Sequence, residues 1–128
     1  MPSPPVAVLG IDHIVLNCTD IATTLSWYID RLGLAPVRVD EWRAGAAPFP
    51  SARINPNTII DFFDGDPSPG RLDHLCIVIA PTDLDELARD GRFDVIDGPG
   101  PRFGARGDGM SIYVRDPDGT TVELRYYP

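Results

Sequence analysis

A chain of 128 residues is long enough for one domain with a core and too short for two ordinary ones. Its net charge of -8 rests on 11 basic residues, all Arg, against 19 acidic ones, and this opposes a nucleic-acid partner, whose phosphates demand neutralising cations. No stretch approaches the roughly 20 apolar residues of a membrane helix, and residues 1–5 lack the basic flank and apolar run of a secretory signal. The two cysteines, Cys18 and Cys76, form neither a dense disulfide framework nor a C-x-x-C pair, so a cytoplasmic protein is expected, with both thiols read as small buried hydrophobes.

In chain order, the first element is a strand carrying Asp12-His13-Ile14-Val15-Leu16. Asp20 then supplies an N-cap for a helix with Ile21, Leu25, Tyr28, Ile29 and Leu32 on one face, and Gly33 stands at its C-cap. Three β-rich runs follow, at residues 37–42, 51–54 and 58–63, divided by Pro, Gly and Asn. Residues 64–70, Asp-Gly-Asp-Pro-Ser-Pro-Gly, are a connector too polar and turn-rich for an element.

The pattern then repeats. Asp73-His74-Leu75-Cys76-Ile77 answers the first strand, and Thr82-Asp83 opens a shorter helix with Leu84, Leu87 and Ala88 on its apolar face, ended by Gly91. Strands are expected at residues 93–96, 111–115 and 121–126, the last two joined by the turn Asp116-Pro117-Asp118-Gly119. Each half reads as βαβββ, giving an α+β chain with one domain over residues 1–128, its modules at about 8–63 and 72–127. Neither module could bury its own sheet face alone.

Side chains alternate across a strand, so His13 shares a face with Ile11, Val15 and Asn17, and His74 with Cys76 and Val78. Ile14 and Leu16, like Leu75, Ile77 and Ile79, are left for the helices. Glu123 shares a face with Thr121 and Arg125, opposite Val122, Leu124 and Tyr126. Two imidazoles and one carboxylate make a divalent-metal ligand set that leaves positions open for water or substrate, and His13, His74 and Glu123 are the candidates. Individually, each is as readily a satisfied buried His or a strand carboxylate; the two histidines of the chain at matching places in a repeat, with a carboxylate after each, favour the metal. Asp61 follows His13 at nearly the spacing at which Glu123 follows His74, so it is a candidate fourth ligand or a water-bridged support.

These motifs resemble the vicinal oxygen chelate superfamily of glyoxalase I, fosfomycin-resistance proteins and extradiol dioxygenases. The resemblance covers nearly the whole chain: Ile11-Asp12-His13-Ile14-Val15-Leu16, the helix from Trp27-Tyr28 to Leu32-Gly33-Leu34, Asp73-His74-Leu75, and Tyr113-Val114-Arg115-Asp116-Pro117-Asp118-Gly119 leading to Glu123. The stretch 107–127 is most similar to the glyoxalase-domain-containing type 5 group. The resemblance implies curved mixed sheets forming a cup around one divalent ion (Fe, Mn, Ni or Zn) held by His13, His74 and Glu123. Glyoxalase I carries Glu where this chain has Asp61, which weakens an isomerase assignment. Extradiol dioxygenases carry a Tyr at the spacing of Tyr113 from Glu123, yet their upstream active-site His has no counterpart in Gly104-Ala105-Arg106.

The expected function is that of a metal-dependent enzyme in which the ion chelates adjacent oxygens of a small substrate as a Lewis acid, by isomerase, lyase or dioxygenase chemistry. Tyr113 and Asp61 are the candidate catalytic groups, with a packed strand tyrosine the alternative for Tyr113. Residues 101–109 are expected as a glycine-rich loop over the site, with Arg102 and Arg106 either binding an anionic substrate group or simply solvated. The rival reading is a metal-free small-molecule binding or resistance protein of the bleomycin-resistance type; a purely structural metal is a third. A homodimer is implied, with Trp42, Phe62, Phe63, Tyr126 and Tyr127 as interface candidates that core burial would explain nearly as well.

Overall fold

The computed structural model describes residues 4–66, 70–115, 117 and 119–128. It is α+β, and it divides into two compact units: His13–Asp73, and a second that joins Met1–Asp12 to His74–Pro128. The first strand, β1 (Val8–Cys18), leads from the one into the other.

In the His13–Asp73 unit, β1 passes into helix α1 (Ile21–Leu32) through Asp20, whose carboxylate accepts from the Ala22 N–H at 3.1 Å and the Thr23 hydroxyl at 2.9 Å. This satisfies a helix-end donor that would otherwise lack a partner. Gly33 ends the helix in the left-handed region (φ 73°), where a residue with a Cβ would be strained. The helix buries Ile21 and Leu25 against Ala52, Ile60 and Phe62, with Ile14, Leu16, Tyr28 and Ile29 around them, as the alternation along β1 requires. Each fully buried Leu or Phe contributes about 1.5–3 kcal/mol.

The strand expected over residues 37–42 is instead the end of β2 (Ala35–Val37) and a short helix, α2 (Val39–Arg43). Arg38 between them has φ 57°, which breaks an extended run, and Asp40 and Glu41 in the next turn suit the positive end of a helix. β3 (Ser51–Asn55) and β4 (Thr58–Asp64) follow as expected. β4 pairs with β1 in parallel and with β3 antiparallel, and β3 pairs antiparallel with β2.

The other unit repeats this plan. β5 (Leu72–Ile79) is followed by α3 (Leu84–Arg89), where Asp83 caps by accepting from the Glu86 N–H at 3.1 Å. Then come β6 (Asp94–Gly104), β7 (Gly107–Arg115) and β8 (Thr121–Tyr126). β8 pairs in parallel with β5 and antiparallel with β7, which pairs antiparallel with β6. Ile77, Ile79, Val122, Leu124 and Tyr126 pack with Leu84 and Leu87, the face that alternation assigned to them.

The loop expected at residues 101–109 is a hairpin. β6 continues to Gly104 and returns as β7 from Gly107, with Ala105 and Arg106 at the turn. Its Pro and Gly content disguised the strand; irregular register between Val95 and Gly100 absorbs Gly98 and Pro99, and an edge strand tolerates prolines. The expected turn at Asp116-Pro117-Asp118-Gly119 lies partly outside the described residues, as does the connector 64–70. Of the aromatic residues considered for an interface, Phe62 is fully buried, Trp42 and Tyr126 pack on the cores of their units, and Phe63 meets Phe49 at 4.9 Å.

Candidate metal centre

Each unit sets one histidine beside one carboxylate, and the backbone does so in the same register. On the parallel pair β1–β4, Asp61 lies opposite Val15, two residues beyond His13. On β5–β8, Glu123 lies opposite Cys76, two residues beyond His74. Successive even positions share a face, so each acid stands on its histidine's side. All four side chains are buried.

The His74–Glu123 pair is the closer, with Nε2 and Oε1 3.1 Å apart. Two donor atoms each about 2.0–2.2 Å from one ion, at roughly a right angle, are about 3 Å apart, so this pair fits neighbouring ligands of a divalent metal. Oε2 of Glu123 is engaged otherwise: it accepts from the Ser111 hydroxyl at 2.7 Å and from Nη2 and Nε of Arg125 at 2.6 and 3.2 Å. In the other unit, Asp61 Oδ2 stands 3.8 Å from His13 Nε2, too far for a hydrogen bond, while Oδ1 accepts from the Ser51 hydroxyl at 2.5 Å.

Arg125 was not singled out by its sequence, although it shares the inner face of β8 with Glu123. It is fully buried, and besides Glu123 it donates to the carbonyls of Arg102 and Phe103 at 3.2 and 3.0 Å and to the Tyr127 hydroxyl at 3.3 Å. Burial works against its charge, but the surrounding groups, Glu123 foremost and Asp12 among them, together outweigh that and hold it protonated. Gly104 makes room for it: a Cβ there would overlap Nη1 and crowd the Asp12 carboxylate. Asp12, also fully buried, accepts from the Tyr127 hydroxyl and from the Ala105 N–H at 3.0 Å. Neither Asp12 nor Tyr127 was read as part of this network, because its contacts lie far apart in sequence.

Tyr113 lies opposite Glu123 on β7 and presents its ring edge-on to His74, centroids 5.5 Å apart. Burial, then the neighbouring Glu123 charge, pushes its pKa up, so the phenol stays protonated well above neutral pH. Arg102 stands with its guanidinium 5.8 Å from the Tyr113 ring centre and is paired with Asp97 at 3.3 Å. Arg106, at the exposed turn, stacks on the ring of Tyr127 at 4.2 Å.

A family model described as Glyoxalase/Bleomycin resistance protein/Dioxygenase superfamily matches residues 10–124. The chain belongs to that superfamily. It is 36% identical over 122 residues to the virulence protein STM3117 of Salmonella typhimurium, covering 91% of this chain and 83% of the relative. A glyoxalase domain-containing protein, RDO1, of Mycosarcoma maydis is also 36% identical, over 126 residues, covering 94% and 70% of the two chains. Among solved structures, methylmalonyl-CoA epimerase from Mycobacterium tuberculosis shares the fold with a TM-score of 0.65 at 19% identity, covering 99% of this chain and 93% of that one. The superfamily includes enzymes and commonly binds a divalent metal, and the described residues include groups that could hold one, His74 and Glu123 belonging to one of them. Among the described residues, no helix is long and apolar enough to cross a membrane.

Proposed function

We propose that the protein is a divalent-metal-dependent enzyme in which His13, His74 and Glu123 hold one ion that engages adjacent oxygens of a small substrate. The observation that carries this reading is the 3.1 Å approach of His74 Nε2 to Glu123 Oε1, between two buried side chains whose other contacts orient them. His13 joins them as the counterpart of His74 in the repeat. A bound ion supplies Lewis acidity toward the substrate's oxygens, which serves isomerase, lyase or dioxygenase chemistry alike. Fe, Mn, Ni and Zn all suit two imidazoles and a carboxylate.

Around that ion the chain's own groups have separate tasks. Tyr113, kept protonated, donates a hydrogen bond to the substrate and does not act as a base at neutral pH. Arg102, over the Tyr113 ring, is placed to take an anionic substrate group. Arg106 serves the hairpin turn through Tyr127 in preference to the substrate. Asp61 supports the site from its bond to Ser51, and its shorter arm favours this over direct ligation.

Metal analysis of protein purified without chelator tests the proposal. Wild type is expected to carry a stoichiometric divalent ion, and His13→Ala and Glu123→Ala to lose it. Substoichiometric metal that ignores both substitutions would sink the enzyme reading and favour a metal-free binding protein. Size-exclusion with light scattering tests the homodimer that superfamily membership suggests.

A further inference from the structure

Arg102, the group placed to take an anion, already holds a carboxylate, that of Asp97. The two are five residues apart on β6, a separation that puts side chains on opposite faces of a regular strand. An extra residue reverses this: Asp97 stands opposite Tyr113 and Gly100 opposite Ser111, three steps along β6 against two along β7. Residues opposite each other in a ladder share a face, so Asp97, Gly100 and Arg102 join Tyr113, and through it Glu123, on one face. There Asp97 Oδ1 accepts from the Gly98 N–H at 2.9 Å and Oδ2 from Nη2 of Arg102 at 3.3 Å. Nη1 of Arg102 donates to the Pro101 carbonyl at 2.8 Å, and an added Cβ at Gly100 would stand 3.1 Å from it. The guanidinium is thus folded back over the strand and toward the Tyr113 ring. The side chains of Asp97 and Arg102 are 65% and 39% exposed, so the ion pair is open to solvent and weak enough for a ligand to displace.

We propose that Asp97 is a specificity-determining residue: it occupies Arg102 in the absence of substrate, so that an anionic group binds there only by displacing it. This rests on the reading of Arg102 above and deepens it. A small free anion gains little, because it exchanges one negative partner of the guanidinium for another and is left beside the Asp97 charge. A substrate whose other end is held at the same time presents its anionic group at a high effective concentration and completes the exchange. The substrate class is therefore one that joins an anionic group to adjacent chelating oxygens in a single molecule. Asp97 keeps loose anions out of its place.

The test titrates inorganic phosphate by calorimetry into wild type, Asp97→Asn, Arg102→Met and the double variant, at one ionic strength and equal metal content, with circular dichroism to check the fold. Asp97→Asn keeps the size of the side chain and an oxygen for the Gly98 N–H while removing the charge. Phosphate is expected to bind about tenfold more tightly to Asp97→Asn than to wild type, and Arg102→Met is expected to abolish that gain in the double variant. A pair that merely braced the strand would not produce tighter binding when broken. Equal or weaker phosphate binding in Asp97→Asn, beside a loss in Arg102→Met, would overturn the role of Asp97 alone. A double variant that keeps the tighter binding, or no binding in any of the four proteins, would overturn the reading of Arg102, and this one with it.

Discussion

Beside His74, Glu123 is gripped by a buried guanidinium; beside His13, Asp61 is held by the hydroxyl of Ser51. The backbone register is the same in both units, so the difference lies in side chains. Two residues beyond Glu123 stands Arg125, and two beyond Asp61 stands Phe63, whose ring meets Phe49. Opposite Glu123 in the antiparallel ladder is Tyr113, and opposite Asp61 is Ser51. The repeat therefore determines where an acid stands, while its neighbours on the same face determine what that acid can do.

The largest expected effect separates the two units by stability. Arg125→Met leaves a buried carboxylate without its partner and should cost about 3–5 kcal/mol in chemical denaturation. Phe63→Met, at the matching place, exchanges one apolar side chain for another and should cost less than about 1.5 kcal/mol. Equal losses would mean that the clamp is not what distinguishes the units. Next comes ion affinity. Glu123→Gln is expected to weaken divalent-metal binding by about 100-fold or more, and Asp61→Asn by less than about tenfold, in equilibrium titrations. A loss at Asp61 as deep as at Glu123 would make it a ligand and the two units equivalent. The smallest effect should show no asymmetry: Asp20→Ala and Asp83→Ala each remove one helix cap and should each lower stability by about 1 kcal/mol. Unequal caps would extend the asymmetry from the site to the scaffold.

Local chemistry was legible in the sequence where it determines structure by itself. Asp20 and Gly33 bracket α1 as their capping preferences require, and β8 occupies residues 121–126 because alternation there is strict. The repeated Asp-His pair located both histidines. It also misled, since the two aspartates differ: Asp12 is fully buried, while Asp73 is exposed. Where a backbone angle overrides a β-rich composition, as at Arg38, the expected strand became a helix. Where edge placement tolerates Pro and Gly, the expected loop became a hairpin. The role of Arg125 was hidden for another reason, because its partners on the β6 end come from the fold and not from the spacing along β8.

The division of β1 between the units has a consequence in time. The His13–Asp73 unit is contiguous, whereas the other needs residues up to Asp12 together with His74–Pro128. Asp12 receives its hydrogen bonds from Ala105 and Tyr127, 93 and 115 residues later. At about 5–20 residues per second of synthesis, its carboxylate waits on the order of seconds for the groups that will bury it. A growing chain therefore completes the half that carries Asp61 first, and assembles the Glu123 clamp only when its last strand arrives.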